Sequence, residues 1–200
     1  MHHNILTLQC DGVDHIDEDD TSAYNEKECD YIVSILKLLY ENVKNGRIKN
    51  INKIGIISFY KRQSTKINAR IHKLKDELKK CNIKIEIGTV DNFQGREFDL
   101  VILSCVRTER MTSFITQIRR WNVSISRAKD KLIVIGNFDK LYNISTSKNI
   151  DKNASQSDRE QAVVYTDIIP YFYDNKEEFS SGDAFSNIVV NFLMGGAENE

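Results

Sequence analysis

Seven residues in one turn, Asp91-Asn92-Phe93-Gln94-Gly95-Arg96-Glu97, bring a carboxylate pair, an amide, a guanidinium and a glycine together. Each type has a chemical use. A glycine lets backbone approach a ligand closely. A carboxylate such as Glu97 accepts hydrogen bonds from two ribose hydroxyls, each charge-assisted bond contributing about 1.5–3 kcal/mol. Further along, Arg119, Arg120 and Arg127 cluster just before an apolar run. Arginine is always charged and forks onto phosphate oxygens. At Arg127, a guanidinium facing a transferred γ-phosphoryl group would contribute roughly 10³–10⁵ in rate. The chain has no GxxxxGK[ST] segment to cradle β- and γ-phosphates with a lysine and a hydroxyl. The residue types supply half of a nucleotide site.

The elements that must position these groups follow from hydrophobic spacing. Behind the turn, Leu100-Val101-Ile102-Leu103 has no alternation, which marks a strand buried on both faces. Ligands of open α/β sheets sit at strand edges, where loops hold polar groups that the core cannot. Ile5–Leu8, Ile54–Phe59, Ile83–Ile87 and Leu132–Ile135 read as further strands. Asn25 with Glu28 has the spacing of a capping box. It opens a helix through Cys29, Ile32, Leu36, Leu39 and Val43 that Asn45-Gly46 stops. A second helix spans 61–80, with Ile67, Ile71, Leu74 and Leu78 on one face and Lys61, Arg62, Lys66, Arg70, Lys73 and Lys75 on the other. That basic face reads first as solvated surface. Arg119 to Arg127 lies on a third helix, in which Trp121 takes a core position rather than that of a base-stacking platform. Strands alternating with helices predict an α/β three-layer sandwich, a parallel sheet with helices on both faces. Residues 1–147 form this domain. Residues 148–200 read as a polar loop to Arg159, a helix over Gln161–Ile169 with Pro170 near its end, and a short docking helix over Phe185–Leu193.

Composition narrows the classes. A net charge of −1 creates no global attraction for nucleic acid, so any such binding needs a local basic face. No apolar run approaches the roughly 20 residues of a membrane span, and Met1-His2-His3-Asn4 lacks the apolar stretch of a signal peptide. Cys10, Cys29, Cys81 and Cys105 lack CxxC spacing and read as reduced, packed thiols rather than metal ligands.

Three stretches carry a family resemblance. VDNFQGREFDLVILSCVR resembles motif V, RRWNVSISRAKDKLIVIGN resembles motif VI, and IGIISFYKRQ resembles motif IV of the superfamily 1 helicases of the nonsense-mediated-decay (regulator-of-nonsense-transcripts) and senataxin type, the AAA_12 family. Order and spacing agree from Ser22 to Asn137. The resemblance implies the second, C-terminal RecA-like domain of an ATP-dependent RNA or DNA helicase that moves 5′ to 3′ along a single strand. The first RecA-like domain would bring most of the ATP and Mg²⁺ site.

By position, the resemblance implies Arg127 as arginine finger, Glu97 as the ribose carboxylate, and Gln94 and Gly95 beside the nucleotide. It implies Ser58, Thr89, Asp91 and Arg120 along the single strand, and matches Gln63 to a motif position. Phe59 stands where the family often has proline, Ser126 where it has threonine, and Lys129 where it has arginine. The expected partners are single-stranded RNA or DNA and the first RecA-like domain, with no membrane. The expected location is cytoplasmic or nuclear. A second reading stays open: a degenerate helicase domain that acts as a non-catalytic protein or nucleic-acid interaction module.

Overall fold

A computed structural model describes residues 4–18, 20–147 and 156–195. Six strands form one parallel sheet in the order β3-β2-β4-β5-β1-β6, where β1 is Asn4–Gln9, β2 Lys53–Ser58, β3 Lys84–Thr89, β4 Phe98–Ser104, β5 Ala128–Gly136 and β6 Lys176–Glu177. Helices cover both faces, as the sequence predicts. On one side lie α1 (Glu26–Lys44), α2 (Lys61–Lys80) and, after five short helices on the other side, α8. Those five are α3 (Ser113–Thr116), α4 (Ile118–Ser126), α5 (Phe138–Thr146), α6 (Gln156–Val163) and α7 (Ile169–Asp174), while α8 spans Gly182–Met194.

The unbroken apolar run of β4 explains itself in this setting. Leu100 and Ile102 point into the core under α1 and α2, while Val101 and Leu103 point into the core with Trp121 and Phe138. Both faces are buried, so alternation is lost.

Local signals set most of the boundaries. The Asn25 side chain accepts a hydrogen bond from the Glu28 N–H at the start of α1, and Gly46, at φ +70°, follows its end. Helix α2 begins and ends at the predicted residues.

Two parts of the chain differ from the sequence reading. Helix α5, capped by Asn137 accepting from the Lys140 N–H, has no counterpart in that reading. Pro170 does not end its helix. A π-helical turn over Val164–Ile168 widens the backbone, and the helix continues to Asp174 with Pro170 in the first turn of α7. Pro170 has no N–H to donate, and one residue, Ile169, separates it from the wider turn.

The segment after residue 155 builds into the same sheet. Val164, Ile169 and Phe172 are buried with Trp121 and Phe138 on one face, and Phe185, Val189 and Leu193 with α1 on the other. Strand β6 pairs with β1 through Thr7 and Leu8. Met1–His3, Asp19 and the greater part of the expected loop at 148–159 lie outside the described residues.

Candidate functional site

Glu97 and Arg127 immediately precede the neighbouring strands β4 and β5, at the edge where both begin. The turn after β3 runs through a short 3-10 helix, Val90–Phe93, then Gly95 at φ +76°, and enters β4 at Phe98. Helix α4 runs alongside and hands over to β5 at Ala128, so both segments end at the same place. The Phe98 N–H donates to the Arg127 carbonyl at 2.9 Å. The Arg127 guanidinium donates to the carbonyl of Arg96 at 3.0 Å, to that of Val123 at 3.2 Å and to the Ser126 hydroxyl at 3.0 Å. Three of about five N–H donors are thus engaged, and about two remain for an anion. Glu97, exposed, faces the Lys129 ammonium at 3.5 Å. Arg96 turns away and pairs with Glu86 of β3. Ser126 and Lys129, which depart from the family pattern, therefore touch the two groups expected to act.

A cleft of about 210 Å³ separates the 3-10 helix from α4, lined by Asp91, Gln94, Gln117, Arg119, Arg120 and neighbours. Arg120 donates to the Asp91 carboxylate at 3.1 Å and to Gln117 at 3.2 Å. Of the two adjacent arginines, Arg120 is thus held by its own chain. Arg119 stands exposed on the rim, a position that helical phase alone did not single out.

At the opposite edge, where the strands end, Thr89 and Ser58 lie on adjacent strands, paired in register. Both hydroxyls serve their own loops. Thr89 donates to the Asn92 side chain at 2.9 Å. Ser58 is 1% exposed and accepts from the Tyr60 N–H at 3.2 Å. Phe59 packs on Trp121, with ring centroids 5.1 Å apart. Trp121 is itself fully buried, and its indole N–H donates to the Ile115 carbonyl at 2.7 Å.

Behind this edge lies a buried polar network that residue spacing did not reveal. Glu28, 0% exposed, does not return to its cap. Its carboxyl oxygens accept from Ser104 Oγ at 2.5 Å and from the Val106 N–H at 3.0 Å. Gln63 takes its place at the cap, accepting from the Asn25 N–H at 2.9 Å and donating to Ser104 at 2.9 Å. Burial, the largest influence, raises the Glu28 carboxyl from its ordinary value to about 8, against the lowering effect of the Ser104 and Val106 hydrogen bonds. Val106 sits at φ +72°, a strained conformation for a β-branched residue. Next to it Arg107 and Asp14, side chains 3% and 4% exposed, form an ion pair at 2.6 Å, and Asp14 also accepts from the Thr108 N–H and hydroxyl. The loop leaving β4 is therefore fastened to both α1 and the acidic loop before it.

Half of the basic face of α2, three of its six cations, is paired within the molecule. Arg62 pairs with Asp17, Lys66 with Glu26 at 2.8 Å, and Arg70 with Glu26 and, at 2.6 Å, with Asp30. Cys10, Cys29 and Cys105 are buried free thiols, and burial raises all three above the ordinary thiol value. Among the described residues no group of three or more His, Cys, Asp or Glu is placed to hold a metal ion, and no helix is long and apolar enough to cross a membrane.

Comparison with known proteins agrees with this architecture. Residues 1–139 match the family model AAA_12, described as an AAA domain. The chain is 34% identical over 152 residues to an uncharacterized ATP-dependent helicase of Methanocaldococcus jannaschii, covering 72% of this chain and 20% of the relative. It is 41% identical over 122 residues to DNA polymerase alpha-associated DNA helicase A of Saccharomyces cerevisiae, covering 60% and 16%. It is 34% identical over 130 residues to regulator of nonsense transcripts 1 of Caenorhabditis elegans, covering 64% and 12%. The chain thus spans a fifth or less of the length of these relatives. With a parallel α/β sheet, three motifs in order and a matching family model, the chain belongs to the AAA_12 family, a RecA-like helicase-family domain similar to those of the regulator-of-nonsense-transcripts and senataxin type.

Proposed function

We propose that this chain is the second motor domain of an ATP-dependent helicase acting on single-stranded RNA or DNA. It provides one wall of an ATP cleft completed by a first RecA-like domain. The observation that carries this reading is the junction of two elements at one edge. Arg127 bonds to the carbonyl of Arg96, and the next residue is Glu97. A guanidinium with spare donors beside an exposed carboxylate suits the two ends of a nucleotide, phosphate at one and ribose at the other.

The donor set fits ATP in part. Glu97 would hold the ribose, with Gly95 and Gln94 beside it, and Arg127 would neutralise charge growing on the terminal phosphate. Mg²⁺ and the phosphate cradle would come from the partner domain, as the family resemblance implies. When bound, ATP supplies the phosphoanhydride whose cleavage powers movement. This chain orients it and shields charge. Ser58, Thr89, Asp91 and Arg120 border the proposed strand path at the opposite edge, the first two by shaping the loops that line it.

The test uses a protein containing both RecA-like domains. Arg127→Ala should lower strand-stimulated ATP hydrolysis by roughly 10³–10⁵-fold while strand binding without nucleotide persists. An unchanged hydrolysis rate would remove the arginine-finger assignment. The second domain alone should bind nucleotide weakly and hydrolyse none.

A further inference from the structure

We propose that Phe114 is a stacking platform for one unpaired base of a single-stranded nucleic acid, an inference that rests on the strand-path reading above. Phe114 lies on α3, in the connection that leaves β4 at the edge where the strands end. Its side chain is 47% exposed, whereas the next two residues, Ile115 and Thr116, are 0% and 2% exposed.

The exposure does not come from a loose backbone. The Ile115 and Thr116 N–H groups both donate to the Thr112 carbonyl, at 3.0 and 3.1 Å. The Ile115 carbonyl takes the buried Trp121 indole N–H. The Thr112 hydroxyl bonds to the Tyr60 hydroxyl at 2.5 Å. The ring is therefore presented outward by an anchored turn, beside a core that holds many other aromatic rings.

Its surroundings suit a base. The Arg120 guanidinium lies over the ring, 4.9 Å from the centroid, and is itself held by Asp91 and Gln117. The Tyr60 ring tilts against it at 5.8 Å. A rigid ring braced by a cation offers a flat π-surface, and Arg119 and Arg110 stand exposed on the same connection for flanking phosphates. An extended protein interface would instead need a broader apolar patch than one ring flanked by guanidinium groups. Stacking accepts any base, so the platform adds grip without sequence preference.

The test compares two probes on the full chain by fluorescence anisotropy: a labelled deoxythymidine oligonucleotide and an abasic strand with the same number of phosphates. The unaltered chain should bind the base-bearing strand more tightly. Phe114→Ala should weaken that binding about five- to a hundredfold and leave the abasic strand unaffected. Phe114→Trp should restore it, with an indole emission quenched on binding; the one natural tryptophan, Trp121, is buried and serves as the internal reference. Unchanged binding by Phe114→Ala overturns the platform, points to a protein-docking role for the ring, and leaves the strand path standing. Equal losses on both strands also overturn it, since a structural role would produce them. Failure of the unaltered chain to bind either strand overturns the strand path and the platform together.

Discussion

Glu28 shows how much a single side chain can change when the fold closes around it. Its spacing from Asn25 is that of a capping box, and the cap half of that motif forms. The other half does not, because Gln63 reaches the Asn25 N–H and frees Glu28 to fasten the loop leaving β4. A carboxyl raised to about 8 binds a proton more readily folded than unfolded. Its contribution to stability is therefore fully present below the ordinary value near 4.5 and is lost as pH rises through about 8. Urea midpoints measured at several pH values should fall across that window and then level. Glu28→Gln, which cannot ionise, should flatten the fall. Parallel profiles for the two proteins would show that another group governs it. Glu97 calls for a different measurement in the two-domain protein: Glu97→Ala should raise the Kd for ATP by roughly tenfold or more while strand affinity changes little, as expected for loss of charge-assisted bonds to ribose. Equal losses in both titrations would count against the ribose assignment.

At the scale of elements, the turn between β3 and β4 does two jobs. It ends one strand at the far edge and starts another at the near edge, so its polar residues are spread along the sheet rather than gathered at one point. Helix α4 makes the same traverse, and the cleft between them joins Asp91 and Arg120 near one end to Gln94 and Val123 nearer Arg127. Gly95 makes the bend possible. At φ +76°, with open space where a Cβ would stand, its replacement meets no clash and only a backbone penalty. Gly95→Ala should cost about 1–2 kcal/mol, read as a lowered denaturation midpoint, and should displace Glu97. A midpoint equal to that of the unaltered chain would mean that the turn relaxes freely. Elements with strong local patterns were legible here: α1 and α2 through apolar spacing and caps, β4 through its unbroken apolar run. Helix α5 was not, since its short apolar series, Phe138, Leu141 and Tyr142, follows directly on a strand and resembles its continuation. Nor was the π turn, because nothing local in Val164–Ile168 announces a wider helix.

For the whole molecule, the tail sets the limits of the folding unit. It covers both faces of the sheet and adds a strand beside β1. Ile169, Phe172, Val189 and Leu193 are 0–3% exposed, and fully burying each side chain is worth about 1.5–3 kcal/mol. A chain cut after Ser147 should therefore lose cooperative thermal unfolding and bind a hydrophobic dye. A sharp melt with no dye binding would make the tail an ornament. The sequence by itself determined the parallel α/β class, most strand and helix positions, and the candidate residues Glu97 and Arg127, because apolar periodicity and motif spacing are local and survive without three-dimensional context. Only the tertiary structure decided that Glu28 is a buried clasp, that Arg62, Lys66 and Arg70 of α2 are matched by Asp17, Glu26 and Asp30, that Arg120 is held while Arg119 is exposed, and that Phe114 faces solvent. Those outcomes depend on which distant partner the fold brings to each group, and long-range pairing of charges, hydrogen bonds and rings leaves no periodic trace in the chain.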